Sequence, residues 1–137
     1  MSDRPASLDL AVIGNCSIAS LIDLRGRHVF TCLPRLDGDP VFCRLLDDDG
    51  DRGYFDVELA GFVRSSQQYL RNTAVVETRL EAADGAAVRI LDFCPRFRQF
   101  DRMFHPMMVV RIIEVAAGRP RVRVRMRPRQ RYGEAEY

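Results

Sequence analysis

The strongest constraint on this chain is its rhythm. Short apolar runs alternate with polar residues and are broken by turn residues, at a spacing of roughly 8–12 residues that suits antiparallel strands. No stretch of ten or more residues sustains an apolar 3.6-residue period free of β-branched runs and breakers, so long helices are excluded. Ser17–Asp23 reads as a strand, Leu24–Arg27 as a turn, and His28–Leu33 as its hairpin mate. Pro34–Pro40 reads as a loop, Val41–Leu46 as a short helical turn, and Tyr54–Leu59 as an alternating strand. Gln68–Ala82 and Ala86–Phe93 read as a hairpin through Asp84-Gly85, and Met107–Val115 and Pro120–Arg127 as another through Ala117–Pro120. The pattern predicts an all-β fold: an antiparallel β-sandwich of about eight strands, with at most one short helical turn.

A chain of 137 residues that is 47% apolar suffices for one domain with a modest core. It holds no apolar run near the roughly 20 residues of a membrane helix. Nor does it hold a repeat, a low-complexity linker or the N-terminal pattern of a secretory signal. Cys16, Cys32, Cys43 and Cys94 form no CxxC pair or dense framework, so the expectation is core packing in a reducing cytoplasm.

Charge is uneven. All 21 basic residues are arginine, which matches the coding bias of a GC-rich bacterial genome. Residues 1–95 hold 10 arginines against 15 carboxylates, whereas residues 96–131 hold 11 against two, Asp101 and Glu114. Arg121–Arg127 (RVRVRMR) places arginine at every second position and therefore on one face of a strand. Such a stripe can track phosphates. It lacks the interleaved aromatics that base stacking needs, so a half-buried strand whose outer face meets carboxylates is the better reading.

Other chemical patterns are weaker. Asp47, Asp49, Asp51 and Glu58 have the spacing of a calcium loop. Arg52 stands where such a loop needs glycine, so a solvated turn is expected. Cys16 with His28 or His105 has the parts of a nucleophile and base, but a strand-edge cysteine more often packs. Asp37, Asp39 and Asp92 are the carboxylates to consider for acid–base hydrolysis, and the first two lie in a turn where aspartate caps amides. The sequence carries no phosphate loop, serine elbow or metalloprotease helix. No metal or cofactor is expected, and neither nucleic acid nor membrane as a partner.

Several long segments, in order, resemble one family. They are Leu8–Asp23 (LDLAVIGNCSIASLID), Cys32–Asp47 (CLPRLDGDPVFCRLLD), Gln68–Thr78 (QYLRNTAVVET), Asp92–Phe97 (DFCPRF) and Arg119–Arg129 (RPRVRVRMRPR). From about residue 7 to Gly133 the chain resembles the start of bacterial glycoside hydrolase family 15 proteins, the glucoamylase- and trehalase-like enzymes. The resemblance implies a super-β-sandwich-like domain, residues 1–137 being that domain or its N-terminal part, ahead of an (α/α)6 catalytic barrel that is absent here. It implies an inverting hydrolysis of α-glucosides whose catalytic glutamates belong to the barrel. This chain alone is then expected to be inactive, bracing the barrel of the same polypeptide. Phe30 and Leu36 stand where family members commonly have Trp and Phe, both apolar exchanges. The loop Pro34–Pro40, with Arg35 and Asp37, is the candidate contributor to an active-site rim or interdomain contact. The runner-up is a free-standing β module that binds an anionic partner through the arginine face. Exposed sheet edges at Met107–Val115 or Pro120–Arg127 further predict a homo-oligomer.

Overall fold

The computed structural model describes residues 7–46, 51–133 and 135–136. In chain order the strands are β1 (Ala11–Gly14), β2 (Ala19–Ile22), β3 (His28–Cys32), β4 (Pro40–Phe42), β5 (Tyr54–Leu59), β6 (Phe62–Tyr69), β7 (Val76–Ala82), β8 (Ala87–Phe93), β9 (Phe97–Gln99), β10 (Arg102–Phe104), β11 (Val110–Ala117), β12 (Val122–Arg127), β13 (Arg129–Gln130) and β14 (Ala135–Glu136). Among the described residues one 3-10 turn, Arg131–Gly133, lies between the last two strands. One antiparallel sheet runs β1-β2-β3-β5-β12, with β4 added to β3, and a second runs β11-β8-β7-β6. Two small ribbons, β9–β10 and β13–β14, complete the described fold. The architecture is all-β and antiparallel, as the alternation requires.

Four local expectations need correction. Gln68–Ala82 is not one strand. It is the end of β6, a turn and β7, closed by the bond from the Leu70 N–H to the Val75 carbonyl, with Asn72 in left-handed conformation at φ 57°. Asparagine tolerates that region better than most residues. Val41 and Phe42 belong to β4, and the turn begins only after them. β11 and β12 do not form a hairpin: β11 pairs with β8, β12 with β5. Their connection crosses between the sheets beside Ala86, where a Cβ on Gly118 would come within 3.1 Å of the Ala86 Cα. Across β5, Arg125 stands opposite Asp56 and Arg123 opposite Glu58, so charge complementarity favours the observed pairing. The count also rises from about eight strands to fourteen among the described residues, because many are only two to four residues long.

The core is split. Val57 and Leu59 of β5 pack against Leu80, Ala82, Ala86, Val88 and Ile90 of the facing sheet, with Phe62 and Ile113 at the margin. Ile13, Ile18 and Ile22 pack with Val76 and Cys94, alongside Ala11, Leu33 and Val109. Alternation puts these side chains on the inner faces; β7 runs buried–intermediate over its whole length. Fully burying such side chains contributes about 1.5–3 kcal/mol apiece.

Candidate functional site

Buried polar side chains tie the two sheets together. Asp92 of β8 and His28 of β3 are both fully buried, and the Arg111 side chain is only 3% exposed. Arg111 donates from Nε to Asp92 Oδ1 at 2.7 Å and from Nη2 to Oδ2 at 3.1 Å. The same guanidinium donates to the carbonyls of Phe55, at 3.2 Å, and Gly26, and it lies 4.6 Å from the centroid of the Phe55 ring. It therefore joins β11, β8, β5 and the β2–β3 turn. His28 Nε2 lies 3.1 Å from Asp92 Oδ1 and its Nδ1 2.6 Å from Ser20 Oγ, which in turn bonds Thr31.

The ionisation states follow from the surroundings. Burial lowers the pKa of His28, outweighing the hydrogen bond to Asp92 that raises it. Burial pushes the Asp92 carboxyl upward, but the bonds from His28 and Arg111 and the charge of Arg111 hold it below its usual range. At neutral pH the arrangement is neutral imidazole, carboxylate and guanidinium. The imidazole donates from Nε2 to Asp92, and its Nδ1 accepts the Ser20 hydroxyl proton.

Ser20, His28 and Asp92 in series have the parts of a nucleophilic relay. They do not have its access. Ser20 is 1% exposed and the other two are fully buried. Moreover, Arg111 already neutralises the carboxylate that a relay would use to stabilise an imidazolium. The cluster holds the sheets together, and its relay groups are closed to a substrate by burial. Asp92 was legible as a polar residue inside an apolar strand, whereas its partners, 64 and 19 residues away in sequence, were not.

The arginine strand is less buried than its alternation suggests. Val122, Val124 and Met126, on the face opposite the arginines, are 43%, 49% and 60% exposed. The arginines do meet the expected carboxylates. Arg125 binds Asp56 at 2.8 Å and Glu58 at 2.7 Å, while Arg123 and Arg127 lie within 3.8 Å and 3.5 Å of Glu58 and Asp51. Carboxylates on the neighbouring strand thus occupy the middle of the stripe. Asp51, in the suggested calcium loop, also accepts from the Tyr54 hydroxyl. Asp47, Asp48 and Asp49 lie outside the described residues. Among the described residues, no group of three His, Cys, Asp or Glu is placed to hold a metal ion.

Arg35 and Asp37 are brought together, and with each other. Arg35 donates from Nε and Nη2 to the two Asp37 oxygens, both at 2.8 Å, on a loop closed by the Gly38 N–H to Arg35 carbonyl bond. The side chains are 74% and 70% exposed.

Cys16, exposed and at φ 73°, accepts from Arg96 Nη1 at 3.1 Å, and its neighbour Ser17 bonds His105. His28 is in the core, away from this thiol. Asn15 anchors the loop by donating to the carbonyls of Pro95 at 2.9 Å and Pro106 at 2.7 Å. Those bonds bring it to the segment around β9–β10, of which the sequence patterns marked only Phe97, at the end of the Asp92–Phe97 motif, and Met107 and Met108, at the start of an expected strand. There Phe97 and Phe104 stack at 5.4 Å, and Phe100, Met103, Met107 and Met108 are exposed, Phe100 to 85%. The available signal was their crowding within residues 97–108, with no polar alternation to hide them.

Residues 3–137 match the model of a protein family described as trehalase-like, N-terminal. No curated protein and no solved structure matches the chain.

Proposed function

Because the chain belongs to the trehalase-like N-terminal family and is thereby a non-catalytic N-terminal domain of a glycosidase-like protein, we propose that it serves a family 15 glycoside hydrolase acting on α-glucosides. Its role is to brace an (α/α)6 catalytic barrel. The observation that carries this reading is the run of exposed apolar side chains on β9, β10 and the segment after them. Monomeric soluble proteins rarely leave such large side chains clustered in water unless another surface covers them. Six of them, Phe97, Phe100, Met103, Phe104, Met107 and Met108, lie within twelve residues. Asn15 and the Asn15–Ser17 loop fix that segment to the sandwich. The loop bearing Arg35 and Asp37 is the element assigned to the active-site rim; its internal ion pair pre-organises it without drawing on the core.

The test supplies a family 15 catalytic barrel in trans. The chain alone should release no glucose from trehalose, maltose or starch, since glycoside cleavage needs two positioned carboxylates. With the chain present, the barrel's melting temperature should rise, and the rise should vanish when Phe100 and Met107 are both replaced by serine. Turnover by the chain alone, or a barrel indifferent to it, overturns the proposal.

A second reading has its own observation. β11 and β12 each end a sheet, and Val115, Val122, Val124 and Met126 are exposed on them. Such edges pair with other strands, so we propose self-association through them. Light scattering coupled to gel filtration decides it: a strict monomer at high micromolar concentration removes this reading.

A further inference from the structure

We infer that the cleft beside β5 is a docking site for an acidic, extended polypeptide segment of a partner protein, which adds as a strand to the open flank of β5. The inference is independent of the proposed barrel contact, which uses a different face.

The flank is open for a topological reason. β3 meets β5 at one position, His28 opposite Phe55, because β3 begins there and the chain turns away through Leu24–Arg27. The Arg111 guanidinium, bound to the carbonyls of Gly26 and Phe55, fills the point of divergence. Beyond it, among the described residues, no strand pairs with Val57–Leu59 on that side. On the other side, the bond from the Ala60 N–H to the Arg121 carbonyl and the register with β12 commit the even-numbered residues of β5 to β12. Strand alternation therefore aims the N–H and C=O groups of Val57 and Leu59 at the open flank. An added strand satisfies such groups.

The cleft there has a volume of about 450 Å³. Its apolar lining includes Val57, Leu59, Phe62 and Leu80. Its charged lining is five arginines, at 25, 27, 121, 123 and 125, against two carboxylates, Asp56 and Glu58. Most of those arginines are engaged: Arg27 with Asp23, Arg125 with Asp56 and Glu58, and Arg123 with Glu58. Arg25 and Arg121 have no carboxylate partner among the described residues. Arg25 is held instead over the Phe62 ring, 4.0 Å from its centroid, by a turn in which Asp23 Oδ1 accepts from the Arg25 N–H at 2.9 Å. Backbone that no described strand pairs calls for an extended chain, the apolar floor for aliphatic side chains, and the two guanidiniums for carboxylates. A second copy of β12 would bring further arginines into an already basic cleft, which makes an acidic strand the better occupant.

The experiment titrates the chain into a fluorescein-labelled heptapeptide of alternating valine and glutamate and follows anisotropy at low and moderate salt. Saturable, salt-sensitive binding in the micromolar range is expected. Replacing Arg25 and Arg121 together by alanine should weaken it about tenfold, equivalent to about 1.4 kcal/mol. Both side chains are surface groups, so circular dichroism should remain unchanged. The variant R25E should bind a valine–lysine peptide that the parent chain rejects. A peptide N-methylated at alternate residues should bind poorly. The inference falls if the parent chain does not bind, if the double variant binds equally, or if the N-methylated peptide binds as well as the parent peptide. It also falls if citrate binds with comparable affinity, since the site then takes small anions rather than strands.

Discussion

Replacing Arg111 by methionine should destabilise the domain more than replacing any exposed arginine. The substitution keeps most of the side-chain stem but removes the charge and every donor that reaches Asp92, Gly26 and Phe55. Asp92, fully buried, is left with the neutral His28 as its remaining partner. Removing one member of a buried ion pair typically costs about 3–5 kcal/mol, against a total domain stability of about 5–15 kcal/mol. At about 3–5 °C per kcal/mol for a domain of this size, melting should fall by about 10–25 °C. Replacing both Asp92 by leucine and Arg111 by methionine removes the orphaned charge, and apolar replacement of a whole buried pair is often nearly neutral. The double variant should therefore be more stable than R111M alone. It should still lie about 1–3 kcal/mol below the parent, because two backbone carbonyls lose their donors and the buried His28 Nε2–H loses its acceptor. Urea unfolding followed by circular dichroism at pH 7 measures all four members of the cycle. A loss below about 1 kcal/mol in R111M, or a double variant as unstable as the sum of the singles, refutes this account of the buried cluster.

Three further outcomes are expected. His28 is buried neutral with its pKa lowered, so the unfolded chain takes up a proton near the ordinary histidine value of 6.5 before the folded chain does. Stability should be full above that value and fall as pH drops below it, by up to about 1.4 kcal/mol per pH unit; H28Q should flatten the slope, and an unchanged slope would show that His28 does not titrate as described. Ellman's reagent should label Cys16 quickly and Cys32, Cys43 and Cys94 only on unfolding, since the last three are buried and burial pushes the Cys94 thiol up to about 11; rapid reaction of two or more thiols would contradict the packing. Because the Arg35–Asp37 pair is exposed, R35A and D37A should each change stability by no more than about 1 kcal/mol. In a barrel-bearing enzyme they should lower kcat/KM about tenfold, and unchanged kinetics would return the loop to a self-contained turn.

Local pattern determined the elements whose cause is local. The alternation of Tyr54–Leu59 places every second side chain on one face whatever the strand packs against, and β5 spans those same residues. Asp84-Gly85 turns the chain between β7 and β8 because Gly85, at φ 85°, accepts a conformation few residues tolerate. The motifs at Leu8–Asp23 and Arg119–Arg129 were among those that pointed to the family. Pairing between distant strands was not legible, because Arg121–Arg127 alternates equally well beside β11 or β5. Only the three-dimensional placement of Asp56 and Glu58 shows where the arginines find opposite charge. The same holds for the buried cluster. Asp92 stands out as a charge at an inward position of β8, but nothing local announces that His28 and Arg111 meet it there. Sheet packing brings them together, and the low dielectric between the sheets makes that meeting decisive, since any one of these groups left unpaired there would carry the full cost of lost hydration.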